Sequence, residues 1–388
     1  MNDTIATYLS TPFVFHGAGA LGELPQEIER LHGSRVGALT DKGLIAAGIR
    51  ERLESIVGDR LSWYDEAEPE PSTKSVDQTA LFLKEQNCDV VVAFGGGSVI
   101  DTAKMASVIA KHGGQVTDYY EKKRDFLAGL PLIAVPTTSG TGSEATPAAV
   151  FRNPADDVKR GIRSELFMPA SAILDPELSL SLPAKLTAST GMDALTHSLE
   201  AYVSPMATIL SDMVAERSIS LIVRYLKTAV EDGGNLDARD GMLMGSYFGG
   251  MAIAIANVGA VHGLAHTLGG LHGVPHGLAN AMFLPYVMEF NSDFCAEKYA
   301  AVARLFGENV EGLANGAAAR IAVQSVRRLA KDVGIPQSFR GIGVPQATIE
   351  KVPDLCLESQ ARILAFNPRP MNREEAVGIL SQAYEGNG

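Results

Sequence analysis

From residue 34 to about residue 180, short apolar runs alternate with amphipathic stretches, the pattern of strands and helices in a largely parallel sheet. RVGALTD (35–41) predicts a strand and GLIAAGIRERLESI (43–56) a helix after it. DVVVAFGGG (89–97) predicts a second, buried strand that runs into glycines, followed by a helix over SVIDTAKMASVIA (98–110). PLIAVPTT (131–138) and ASAILDP (170–176) add two more strands. Beyond LSLPAK (180–185) the β-branched runs thin out. Helical periodicity takes over through 187–230, 237–257 and 312–333. The pattern therefore predicts an α/β domain over 1–182 and an all-helical domain over 183–388, with no internal repeat and no low-complexity linker.

Composition narrows the class. A chain of 388 residues, 46% of them hydrophobic, is long enough for two cores. Its net charge of -12, with no long basic run, argues against a nucleic-acid surface and for a small-molecule partner. Cys88, Cys295 and Cys356 follow no metal or redox spacing and are too few for a disulfide framework, which fits a reducing compartment. The start, MNDTIATYLS, lacks a basic and an apolar region, and no apolar stretch reaches membrane-spanning length. The expectation is a cytoplasmic protein with no membrane partner.

Two glycine-rich segments compete for a dinucleotide. HGAGALGELP contains the literal G-x-G-x-x-G spacing in Gly17, Gly19 and Gly22, but Pro25 suits a first helical position and pushes the helix start past Gly22. It reads as a plain turn. In AFGGGSVIDTAK a buried strand delivers Gly95, Gly96 and Gly97 directly to a helix that carries Ser98 and Asp101. Backbone amides there can close on a phosphate, and the helix N-terminus favours its charge, so the α/β domain reads as a Rossmann-like dinucleotide-binding domain. PTTSGTGSEAT (136–146) follows another strand end, and its hydroxyls can complete the cradle. Asp41, just after a strand, can accept ribose hydroxyls and repel a 2'-phosphate, favouring NAD over NADP; alone it reads equally as a helix N-cap.

VHGLAHTLGGLHGVPHG (261–277) holds four of the eight histidines. His262 and His266 are four apart on one helical face, whereas Gly269, Gly270, Gly273 and Pro275 are expected to break the helix before His276. In STGMDALTHSLEAYVS, Asp193 and His197 are four apart and can bind one cation from a single face. With His262 and His276 they offer one oxygen and three nitrogen ligands, a set suited to first-row divalent metals.

These segments together resemble the iron-containing (group III) alcohol dehydrogenase family. The resemblance covers nearly the whole chain through GGGSVIDTAK, PTTSGTGSE, ILDPELSLSLP, GMDALTHSLEAYVS, VHGLAHTLGGLHGVPHGLANAMFLPYVMEFN and NPRPMNREE. It implies a dehydroquinate synthase-like architecture in which NAD and a divalent metal meet between an α/β and a helical domain. It implies Asp193, His197, His262 and His276 as ligands of Fe2+, with Zn2+ the alternative, and places His266 near the nicotinamide and the substrate. His272 matches no fixed histidine of the family. The resemblance assigns Gly96, Gly97, Ser98 and Asp101 to the pyrophosphate and nicotinamide side, Thr137, Thr138 and Thr146 to a threonine loop, Lys159 to the cofactor ribose and Asp41 to NAD preference. Ala148, Ile253 and Ile363 take pocket positions, and their apolar character favours a short or medium aliphatic alcohol or aldehyde. The implied activity is hydride transfer between a primary alcohol and NAD, with the metal polarising the substrate oxygen, in a homo-oligomer. The rivals are a dehydroquinate-synthase-like lyase, a metal-independent maleylacetate-type reductase and a non-catalytic protein that binds NAD and metal.

Overall fold

The computed structural model describes residues 7–155 and 158–386, which form two compact units. One comprises Leu9–Thr138 and Gly142–Leu180; the other comprises Ser139–Thr141 and the chain from Ser181 onwards, with residues 7–8.

Among its described residues the first unit is built on eight strands: β1 (Phe13–His16), β2 (Val36–Leu39), β3 (Leu61–Tyr64), β4 (Val90–Gly95), β5 (Leu132–Pro136), β6 (Ala148–Asn153), β7 (Val158–Arg163) and β8 (Ser171–Leu174). Six of them form a wholly parallel sheet in the order β1-β8-β5-β4-β2-β3, and β6 and β7 pair as an antiparallel hairpin. The central strands β2, β4, β5 and β8 are buried along their whole length. Helices cover both faces of such strands, so they read as continuous apolar runs. The strands that the pattern does not announce are the two edges and the hairpin. Edge strand β1 pairs only with β8 and leaves Phe13 and Val14 exposed, and β3 is half-buried throughout. Neither carries the doubly buried signature.

The helix expected over 43–56 is two helices, Lys42–Ala46 and Ile49–Val57, because Gly48 turns left-handed at φ +85°. The helix after β4 spans Gly97–His112.

The second unit is helical, with no strand among its described residues. The periodicity over 187–230 resolves into helices Ala184–Val203 and Ile209–Glu231, separated at residues 204–208, where Pro205 follows Ser204 and Thr208 caps the second helix through Ser211. Helices Leu236–Ala256, Ala260–His272, His276–Asn291 and Asn315–Asp332 follow, with shorter helices after them. Their core is aliphatic, with Leu195, Leu199, Ile222, Leu226 and Met242 fully buried. Glycines set the closest approaches. A Cβ on Gly241 would stand 2.1 Å from Cδ2 of the Tyr225 ring.

An aromatic ring cannot yield as a flexible chain end can. Gly241→Ala is therefore expected to destabilise by about 1–3 kcal/mol through overpacking. Gly22→Ala, whose Cβ would meet nothing within 4 Å, is the matched control. Thermal unfolding of both checks this, and equal midpoints would contradict the packing described.

Candidate metal centre and dinucleotide site

The helix Ala184–Val203 sets Asp193, His197 and Glu200 along one stripe at intervals of four and three residues. All three are buried. The next contribution depends on a sharp bend: Asn257, at φ +61°, ends helix Leu236–Ala256, and Ala260–His272 leaves at 104° to it. That helix carries His262 and His266. It runs through Gly269 and Gly270 without breaking, and ends only at Gly273, which is left-handed at φ +65°. Within a packed helix each glycine costs about 1 kcal/mol of propensity, which the surrounding core outweighs. Pro275 then opens the helix in which His276 is the first residue. Gly277 lets that helix start pass close by, since a Cβ there would stand 2.7 Å from the carbonyl oxygen of Ser189 and 3.3 Å from Cβ of Asp193.

The result is convergence. One ligand atom from each of Asp193, His197, His262 and His276 lies within 4.8 Å of all the others. Asn280, one turn after His276, points its amide nitrogen at the group: 2.6 Å from Asp193 Oδ1, 3.0 Å from His262 Nε2 and 3.1 Å from His276 Nε2. Two amide hydrogens are thus shared among three acceptors, while Asn280 Oδ1 is buried without a partner. Lone pairs of one carboxylate and several imidazoles aimed at one point suit a divalent cation better than any hydrogen-bond donor, so this residue set fits a metal.

The imidazoles are oriented from behind. His197 Nδ1 lies 3.3 Å from the carbonyl oxygen of Gly140, and His262 Nδ1 lies 2.5 Å from Glu200 Oε2. Glu200 Oε1 accepts the amide of Val261 at 2.7 Å. Burial pushes the His262 pKa down to about 3, which keeps its ring neutral and able to bind metal. His266 is buried beside the four, its ring centre 5.1 Å from that of His276 and 5.8 Å from that of His262. His272 points elsewhere and pairs with Thr348 Oγ1 at 2.8 Å.

In the α/β unit, the chain first builds outwards from β2 to β3 and then returns to place β4 on the other side of β2. This reversal is the switch point at which open parallel sheets bind ligands at their strand carboxyl ends. Leu39 of β2 pairs with Ala93 of β4, so Asp41 and Gly95–Gly97 leave the sheet side by side. The register sets Gly95 against Pro136, and the amide of Thr137 donates to the Gly95 carbonyl at 3.0 Å. A Cβ on Gly96 would stand 3.3 Å from Thr138 Oγ1. Gly95–Gly97, Ser98, Thr137 and Thr138 are therefore brought together. No side chain caps the helix Gly97–His112, so its N-terminus keeps the polarity that favours a phosphate.

The remaining residues expected at the cofactor hold the protein itself. Asp41 accepts the Leu44 amide at 3.0 Å as a helix N-cap. The Ser98 hydroxyl donates to the Pro69 carbonyl, and Lys159 pairs with the adjoining Glu70 at 2.7 Å, so both flank one segment. Asp101 accepts from Ser143 Oγ at 2.5 Å and from the Val150 amide at 2.9 Å. Thr146 belongs to the same polar group, with Oγ1 3.1 Å from Lys104 Nζ. Lys104 also donates to the carbonyls of Ser143 and Ala148, each at 2.7 Å, and burial takes its pKa down to about 8. At the literal G-x-G-x-x-G, the amides of Gly19 and Leu21 donate to the buried carboxylate of Asp175 at 3.2 and 3.1 Å. The chain's own anion stands there already.

Glu200, Asn280 and Lys104 carry no motif of their own in the sequence. Each stands one helical turn from a residue that the motifs do contain: His197, His276 and Asp101. That spacing is the signal that could have found them.

Residues 11–176 match the family model for iron-containing alcohol dehydrogenase, and residues 187–384 match the C-terminal model of the Fe-containing alcohol dehydrogenase family. The chain is 36% identical to long-chain-alcohol dehydrogenase 1 of Geobacillus thermodenitrificans, covering 99% of this chain and 98% of that one. It is 39% identical to the 1,3-propanediol dehydrogenase of Klebsiella pneumoniae, covering 97% and 98%. A crystal structure of 1,3-propanediol oxidoreductase superimposes with a TM-score of 0.94 at 36% identity, over 98% of this chain and 100% of that chain. The chain belongs to the iron-containing alcohol dehydrogenase family and is an NAD-dependent, metal-containing alcohol oxidoreductase.

Proposed function

We propose that this dehydrogenase acts on short or medium aliphatic primary alcohols and their aldehydes, with Fe2+ held by Asp193, His197, His262 and His276. The observation that carries the reading is the convergence of one oxygen and three nitrogen ligands within 4.8 Å, three of the four residues buried and His276 half-buried. Four protein ligands would close a tetrahedral zinc site, whereas Fe2+ accepts five or six ligands and so has room for a substrate oxygen. When bound, the metal supplies a Lewis acid for the alcohol oxygen and NAD the hydride acceptor. His266, buried beside the ligand set, takes the hydroxyl proton. Gly95–Gly97 and Ser98 receive the pyrophosphate with Thr137 and Thr138. Asp101 shapes the loop beside it through Ser143 and the Val150 amide, Thr146 does so through Lys104, and Lys159 faces the ribose. The carboxylate of Asp41 disfavours a 2'-phosphate. Ala148, Ile253 and Ile363 are half-buried and apolar, which favours an aliphatic substrate over a sugar.

The protein works in the cytoplasm as a homo-oligomer. In support, its three cysteines are free and buried, and among the described residues no single helix is long and apolar enough to cross a membrane. The exposed Phe13 and Val14 of edge strand β1 offer a surface that a second copy would cover.

Two histidine variants separate binding from chemistry. His262→Ala is expected to lose iron and turnover while NADH still binds, as read by metal analysis and NADH fluorescence titration. Near-normal activity without added metal would overturn the metal mechanism. His266→Ala is expected to keep its iron and lose about a hundredfold or more in kcat. Asp41→Gly is expected to shift the NADPH to NADH ratio of kcat/KM upwards, on the order of tenfold, by removing charge repulsion. An unchanged ratio would take Asp41 out of the ribose site.

A further inference from the structure

We infer that Glu200 is a positioning residue of the metal centre: its carboxylate holds the Nδ1–H of His262, so that Nε2 keeps its lone pair turned toward Asp193, His197 and His276. The inference rests on the reading that these four residues bind metal. Glu200 lies three residues beyond His197 on the same helix, and each of its oxygens has its own donor. Oε2 is 2.5 Å from His262 Nδ1, and Oε1 is 2.7 Å from the amide of Val261. Val261 is the second residue of helix Ala260–His272, where a backbone amide has no partner within its own helix. The N-cap residue, Gly259, has no side chain to satisfy it, and a Cβ there would stand 3.3 Å from Glu200 Oε1. A carboxylate from a neighbouring helix therefore caps this helix start and grips the histidine one residue further on. That fixes the rotation of one ligand helix against another.

A neutral imidazole has one proton to place. On Nε2 it would point at the Asn280 amide nitrogen, 3.0 Å away, donor against donor, and the carboxylate would face a bare lone pair on Nδ1. On Nδ1 it satisfies Glu200, and Nε2 accepts from Asn280. His197 follows the same rule, with Nδ1 against the Gly140 carbonyl. Both Glu200 oxygens face donors in a buried setting, which suits it to orient the ligand.

Glu200→Gln keeps the shape and leaves one acceptor oxygen for two donors. The conflict is relieved when the His262 proton moves to Nε2, which removes the lone pair that binds metal. Protein freed of metal by chelation and labelled with 15N-histidine tests this by NMR. The wild type is expected to show His262 protonated on Nδ1, and protonation on Nε2 would overturn the inference without any variant. Zn2+ titrated against a competing chelator is expected to bind Glu200→Gln about 10–100-fold more weakly than wild type. NADH binding is expected to be unchanged. Equal Zn2+ affinity would remove Glu200 from the centre and leave the four-ligand reading standing. If the wild type itself took up no Zn2+, the ligand reading would fall and the role of Glu200 with it.

Discussion

Lone pairs from a carboxylate and three imidazoles, three of the four residues buried and all converging within 4.8 Å, repel one another and have lost most of their water, so the fold is under pressure to supply a positive partner. Much of the helical unit can be read as a response to that constraint. Two ligands come from one helix face, Asp193 and His197, and the others from helices that reach the same spot only through a 104° bend and a glycine–proline break. Gly277 allows the last approach because any side chain would meet the Ser189 carbonyl. Asn280 shows the deficit directly, since its amide hydrogens are divided among three acceptors while its own oxygen has no partner. A core of packed aliphatic helices holds this polar centre in place.

The α/β unit solves a different electrostatic problem. A pyrophosphate needs backbone amides and no competing anion, and the sheet reversal between β2 and β4 sets Gly95–Gly97 at the strand carboxyl ends, where the proposed cofactor site lies. The chain fills the other glycine-rich turn with Asp175, so only one of the two is left for a phosphate. Beside the open one, Lys104 draws Ser143, Thr146 and Ala148 around a single buried amine. A buried amine with several acceptors is expensive to desolvate, and its return is a loop with one geometry.

What the sequence discloses follows what each pattern can report. Strands covered on both faces, such as Val90–Gly95, show as unbroken apolar runs; edge strand Phe13–His16 and half-buried Leu61–Tyr64 do not. Ligand pairs four apart are legible because a helix repeats on that scale. Spacing alone cannot join Asp193 to His262 across nearly seventy residues of chain, and the family resemblance made that link. Gly269 and Gly270 misled because packing, which outweighs propensity, is invisible along a chain. Glu200, Asn280 and Lys104 matter through hydrogen bonds that close between elements, and such satisfaction can be counted only in three dimensions. For Asp41 the N-cap reading is the one the hydrogen bonds bear out, at the carboxyl end of β2 beside the glycine loop.

The central claim is that one metal ion is held by four residues from three helices. Crystals of the iron-loaded protein, with anomalous diffraction recorded on both sides of the iron absorption edge, test it most directly. The account predicts a single edge-dependent peak enclosed by Asp193, His197, His262 and His276. A peak elsewhere, or none there in protein that carries stoichiometric iron, would contradict it.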